Sequence, residues 1–380
     1  MKRVLIKNTL FLSGENANQA VENDILICGG VIEKIAPAIE ADSDCEVFDV
    51  TRSYVSQGLV DSHVHIAVPG MTQYKGMEMG VDVEEFGIQS GVAALIDAGT
   101  FGVNSIEKAI SSTKKLVTQV FFLLNASKIG IQPLTSELEN LKNIDFHAAA
   151  EVCSRNKDCI VGIKARASKS AVGSAGIEAI VKAKELASRL GLPMVVHIGN
   201  EPPNIQEVLN LLTHGDVITH CFHGKLSNAI VDEDYSLHSE TIRARERGVL
   251  FDIGHGSESF NFKVAQQAFH QGFLPDLIST DLHSLNCQGP VYGLPLTISK
   301  MLALDDEITH WISKVTVNPK KAFHLGITGD EYVGKPANLT VFHVTSTDET
   351  QYDSDKNPIH LKKRMDVLAV INGDHIIKKY

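Results

Sequence analysis

The most constraining feature of this chain is a set of short apolar runs that alternate with longer stretches of helical character. The runs are 55–65 (VSQGLVDSHVH), 91–98 (GVAALIDA), 119–126 (QVFFLLNA), 160–165 (IVGIKA), 193–198 (PMVVHI), 217–222 (VITHCF), 249–254 (VLFDIG) and 277–282 (LISTDL). Each is short and almost continuously apolar, as suits a strand buried on both faces. Between them lie segments such as 176–190 (GIEAIVKAKELASRL), where Ile177, Ile180, Val181, Ala183 and Leu186 form a stripe at helical spacing. Gly191 is placed to stop that helix and Pro193 to open the next strand. Strand–helix alternation repeated eight times predicts an α/β fold, a (β/α)8 TIM barrel over residues 55–329. A doubly wound open sheet is the competing arrangement, and the count of eight favours closure.

The two ends read differently. Residues 1–54 hold RVLIKNTLFL, ENDILICGGVIEKIA and CEVFDV, with Gly29-Gly30 as a hairpin turn. Residues 330–380 hold NLTVFHV and DVLAVINGDHIIKKY, with Asn372-Gly373 as another turn. Together they predict a small β-sandwich domain built from both termini. The start, MKRVLIKNTLFLSG, has its apolar run broken by Lys7 and Asn8 and reads as a first strand, not a leader.

A net charge of −11 argues against nucleic acid or an anionic membrane surface as the main partner. No apolar run is long enough for a membrane span. The six cysteines form no C-x-x-C pair, which predicts reduced thiols and a cytoplasmic protein. The expected partner is a small-molecule substrate, and assembly into a homo-oligomer stays open.

A barrel builds its active site at the C-terminal ends of its strands. The first run ends in His63-Val64-His65, the fifth in His197 and the sixth in His220, with His223 as an alternative there. Residues two apart on a strand face the same way, so His63 and His65 can reach one ion from one wall. His197 and His220 supply a second imidazole pair, enough for a second metal. Lys164 lies in an apolar strand, where an ammonium is costly. It either pairs with an acid or loses its charge; as a neutral amine it can take up CO2, and the resulting carbamate can bridge two metals. Asp281 closes the eighth run as a general acid–base group or as a helix cap. Arg166 could hold a substrate carboxylate or play an outward structural part, and His255 and His283 are candidates for substrate contacts.

The set GLVDSHVH, Lys164, His197, His220 and Asp281 resembles the amidohydrolase superfamily. Within it, VVHIGNEPP, THCFHGK and FDIGHGSESF resemble the dihydroorotase-related branch, and more closely a deacetylase group often labelled dihydroorotase or adenine deaminase. The resemblance covers nearly the whole chain. It implies a hydrolase with two divalent ions, zinc by default with iron, manganese or cobalt as alternatives. His63, His65 and Asp281 would hold one ion, His197 and His220 the other. Carboxylated Lys164 would bridge them, and a bridging hydroxide would attack an amide or ester bond. Alternatives are a purine or cyclic-amidine deaminase, a dihydroorotase-like cyclic amide hydrolase, and a non-catalytic scaffold. Two departures count against the names. Ala67 stands where dihydroorotases usually carry an arginine for the substrate carboxylate, and IAVPG from Ile66 follows the histidine pair where adenine deaminases usually have an acidic residue and serines. Retention of every expected ligand counts against the scaffold.

Overall fold

A computed structural model describes residues 2–13, 17–74, 77–131, 136–325, 332–373 and 375–378. Its strands are β1 (Arg3–Ser13), β2 (Gln19–Cys28), β3 (Val31–Ala36), β4 (Cys45–Gln57), β5 (Leu59–Val64), β6 (Gln73–Tyr74), β7 (Met77–Glu78), β8 (Val92–Asp97), β9 (Gln119–Asn125), β10 (Ile160–Ala167), β11 (Met194–Ile198), β12 (Val217–Thr219), β13 (Leu250–Asp252), β14 (Asn338–Tyr352), β15 (Pro358–Asn372) and β16 (His375–Lys378).

Seven of the eight apolar runs form one parallel sheet in chain order, β5-β8-β9-β10-β11-β12-β13. The eighth run, 277–282, closes the ring by single bridges, Asp252 to Leu277 on one side and Val64 to Leu282 on the other. Backbone bonds from Asp281 N to the His63 carbonyl (2.7 Å) and from His65 N to the Leu282 carbonyl (2.9 Å) complete the seam. The barrel is therefore closed, although its eighth stave is irregular. Residues of β5 and β8 are buried throughout, as a strand covered on both faces requires. The helix Ile177–Leu190 buries Ile180, Ala183 and Leu186 against the barrel and ends at Gly191, whose φ of 65° is left-handed.

Both termini enter one seven-stranded sheet, β16-β15-β14-β4-β1-β2-β3, mostly antiparallel, with β1 and β4 parallel. The terminal β-domain is thus a continuous seven-stranded sheet whose strands from both ends of the chain share one buried cluster, as the expected small β-domain requires. Alternation along β1 sends Val4 and Ile6 to one buried cluster and Leu5 to another. The turns at Gly29-Gly30 and Gly373 fall where expected, with positive φ. The expected boundary at 329/330 lies outside the described residues. Among those residues no helix is long and apolar enough to cross a membrane, and all six cysteines are free.

Candidate metal centre

Strand β5 delivers His63 and His65 to the barrel mouth, with ring centroids 5.7 Å apart. Both Nε2 atoms converge on Asp281 Oδ1, at 3.3 Å from His63 and 3.1 Å from His65. One ligand atom from each of the three lies within 4.8 Å of the others, a spacing that suits a shared ion. Asp281 holds a left-handed φ of 50°, a conformation that strands do not adopt and that functional sites tolerate. Burial pushes its carboxyl up, but His63, His65 and His220 outweigh this and hold it well below the usual range. It is therefore a carboxylate at neutral pH.

The outer nitrogens fix the tautomers. The Thr219 hydroxyl gives its proton to Asp252 Oδ2 (2.7 Å), so at 2.9 Å from His63 Nδ1 it can only accept. His63 thus carries a proton on Nδ1, which leaves Nε2 as the atom that faces the site. His65 Nδ1 meets the Thr100 hydroxyl at 2.8 Å. His220 Nδ1 donates to the Gly254 carbonyl at 2.7 Å, so its Nε2 is a bare lone pair, and that atom is buried with no partner. Burial, with neighbouring charges acting both ways, holds the His220 ring well below its ordinary pKa, and hence neutral. A buried neutral imidazole with an unused lone pair is what a metal ligand needs. His197 stands 4.3 Å from His220, centroid to centroid, and His63 5.1 Å from it.

Lys164 is fully inside β10, with Nζ 3.1 Å from His63 Nε2. Burial drives its pKa down to about 8, against the pull of Asp281 and Asp252. Gly99, at φ 79°, lets the loop after β8 pack on the lysine stem; a Cβ there would come within 2.5 Å of Lys164 Cβ. The donor set, four imidazoles with a carboxylate and a buried lysine whose pKa burial has lowered, fits divalent metal binding.

Above these groups lies a cavity of about 720 Å³ whose floor includes His65, His197 and Asp281. Arg166 lines it, clamped by Glu137 through Nε (2.6 Å) and Nη2 (2.5 Å), with Glu137 completely buried. His283 lines it too, its Nε2 3.2 Å from the Ser257 hydroxyl. Met71, Met79, Phe101, Ile129 and Leu285 give the cavity apolar lining.

Two expectations place differently. His255 does not line the cavity: it is buried, Nδ1 at the Gly256 carbonyl (3.1 Å) and Nε2 at Lys300 Nζ (2.8 Å). The backbone of 254–256 stays beside the mouth, but the His255 ring is held by Lys300 and the Gly256 carbonyl and so faces away from the cavity. His223, the alternative sixth-strand ligand, is also buried outside the lining, its Nδ1 accepting from Lys225 N at 3.1 Å. Sequence reasoning missed Glu137, Thr219, Asp252, Thr100 and Gly99. Asp252 and Thr219 had a visible signal, a polar residue closing an apolar run; Glu137 had none.

The model of the Amidohydrolase family matches residues 54–376. A deacetylase of Agrobacterium fabrum is 35% identical over 371 residues, 96% of this chain and 88% of that protein. A solved structure described as a dihydroorotase aligns at TM-score 0.89 and 32% identity, covering 100% of this chain and 98% of that one. Another, described as an adenine deaminase, aligns at TM-score 0.89 and 34% identity over the full length of both chains.

Proposed function

The chain belongs to the amidohydrolase family and is a hydrolase, and from that premise we propose that it cleaves an amide or ester acyl bond of a small, carboxylate-bearing molecule at a two-metal centre. The observation that carries this reading is the convergence of His63, His65 and Asp281 beside the unpartnered His220 Nε2 and the amine of Lys164. His63, His65 and Asp281 would hold one ion and His197 and His220 the other, with zinc favoured by the imidazoles. Lys164, whose burial raises the fraction of neutral amine at physiological pH well above that of an ordinary lysine, would add to CO2 with loss of a proton, and the carbamate would bridge the pair. When bound, the ions polarise the acyl carbonyl and supply water already inclined to ionise.

The remaining work falls to side chains. Asp281 is an ionised carboxylate at the cavity floor, so it can take the proton of the attacking water and pass it to the leaving nitrogen or oxygen. Arg166 has two donors fixed by Glu137, which aims the guanidinium and leaves its remaining N–H groups for a substrate carboxylate. His283 would contact the substrate beside it. The apolar lining from Met71, Met79 and Phe101 suits an apolar group on the acid. The name deacetylase, carried by the Agrobacterium relative, agrees with acyl removal. The six free thiols suit a reducing compartment, and we assign the enzyme to the cytoplasm.

The test is acetate release from a panel of N-acetyl and O-acetyl carboxylates by zinc-reconstituted protein, beside carboxylate-free analogues. Hydrolysis of the acids, lost on chelation and in Asp281→Asn, is expected. Ammonia from purines with no acyl release would replace this reading with a deaminase.

A further inference from the structure

The hairpin β14–β15 belongs to the terminal sheet, yet its tip lies on the barrel. Ser354 N donates to the Phe260 carbonyl (3.0 Å), and Phe260 N donates back to Ser354 Oγ (3.2 Å). The single proton of the Ser354 hydroxyl is shared between the carbonyls of His255 (3.0 Å) and Gly256 (2.9 Å). The buried Asp353 carboxylate accepts from Phe262 N at 2.9 Å, where the helix Phe262–His270 begins. All five contacts fall on one segment, 254–262, which leaves the seventh barrel strand.

The other side of that segment touches the metal centre. The Gly254 carbonyl is the hydrogen-bond partner of His220 Nδ1, and among the described residues the His220 ring has no other. A Cβ on Gly254 would stand 2.8 Å from His220 Nδ1, and one on Gly256 would stand 2.6 Å from Asp281 Oδ2. His255 N and Gly256 N donate to the carbonyls of Ser279 (3.1 Å) and Thr280 (2.9 Å), the two residues that lead into Asp281. Lys300 is buried beside them, and its Nζ reaches the carbonyls of Pro290 (2.7 Å) and Tyr352 (2.8 Å) and His255 Nε2 (2.8 Å). One buried lysine nitrogen thus ties the hairpin, the chain after the eighth stave and the 254–262 segment together.

We propose that the hairpin tip is a positioning device for the metal centre, acting from Ser354 through the His255 and Gly256 carbonyls on His220 and Asp281. Ser354 and Lys300 are positioning residues, since neither lines the cavity. The physical reason is that a ligand imidazole keeps its orientation only as well as its outer partner is held. Here that partner is a loop carbonyl, and the loop is pinned from outside the barrel. The terminal sheet thereby becomes part of the catalytic apparatus, and the inference rests on the metal-hydrolase reading above.

The experiment compares wild type with Ser354→Ala, Ser354→Thr and a hairpin control, Asp348→Ala, whose side chain is 93% exposed and pairs with His360 on the same hairpin. Metal-free full-length protein is titrated with cobalt(II) and followed by its visible absorption. The cobalt-loaded protein is then assayed on 4-nitrophenyl acetate. We expect Ser354→Ala to weaken the looser cobalt step and lower kcat, each by about tenfold, with KM within about twofold. Ser354→Thr should recover both and Asp348→Ala should match wild type. If Ser354→Ala does not fold, the near-isosteric pair Ser354→Thr and Ser354→Val carries the same comparison, differing mainly in the hydroxyl. Wild-type cobalt affinity and kcat in a hydroxyl-free variant, whatever its melting temperature, would overturn the positioning role alone. A wild-type protein that binds no cobalt would overturn the metal reading and the inference with it.

Discussion

The barrel carries a large cavity at each end of the same strands. The one at the C-terminal ends holds about 720 Å³ and the one at the N-terminal ends about 610 Å³. Volume hardly separates them; the state of their polar groups does. At the N-terminal end every acid has a structural task. Asp216 pairs with Lys184 and accepts from Met194 N (3.0 Å) and Thr213 N (2.8 Å). Asp276 pairs with Arg245 at 3.2 Å and accepts from Phe251 N at 2.8 Å. These carboxylates tie down the backbone where β11 and β13 begin. At the mouth, His220 keeps an unused lone pair, and Asp281 has two imidazoles on one oxygen. A site shows itself by donor capacity that the protein does not consume.

The sharpest way to break the contrast is to remove one carboxylate from each end. Asp281→Asn should lower kcat by about 10³-fold, the range of a lost acid–base group. Asp276→Asn should leave kcat per folded molecule within about twofold. Equal losses would dissolve the distinction. Next in size is Arg166→Met. It should raise KM for carboxylate-bearing substrates by about 10- to 100-fold, the worth of charged hydrogen bonds, and leave neutral esters nearly unchanged. Uniform loss across both classes would remove Arg166 from substrate recognition.

Stability should respond in the opposite sense. Asp216→Ala strands the Lys184 ammonium and should cost about 3–5 kcal/mol in urea unfolding, with kcat intact. A smaller effect concerns Lys320, buried away from both cavities with Nζ 2.7 Å from Gln57 Oε1. Burial lowers its pKa to about 7. The unfolded chain, with an ordinary lysine pKa near 10.4, therefore binds more protons across the interval from about pH 7 upward, and stability rises with pH there. Lys320→Met should flatten that rise in unfolding curves measured between pH 7 and 10; an unchanged slope would locate the proton elsewhere.

The sequence announced the mouth better than its supports. Eight apolar runs of strand length made the barrel legible, and the residues that close them gave His63, His65, His197, His220 and Asp281. The eighth run was legible as apolar, but its irregular pairing was not, because the left-handed φ at Asp281 belongs to an aspartate and no glycine marks it. His255 was misplaced for a related reason: position after a strand predicts the mouth but not which way the side chain points, and His255 turns its ring to Lys300, 45 residues on. The Arg166–Glu137 clamp spans 29 residues and joins a strand to a loop, so no local pattern encodes it. The Ser354 contacts, from the far terminus onto the seventh-strand loop, are of the same kind.

The most direct test of the central claim is an anomalous difference map from crystals of protein produced in zinc-supplemented medium. The account predicts two peaks at the mouth, one among His63, His65 and Asp281 and one beside His197 and His220, with density extending Lys164 Nζ into a carbamate between them. Absence of any metal peak at the mouth, with His220 Nε2 still unpartnered, would contradict it.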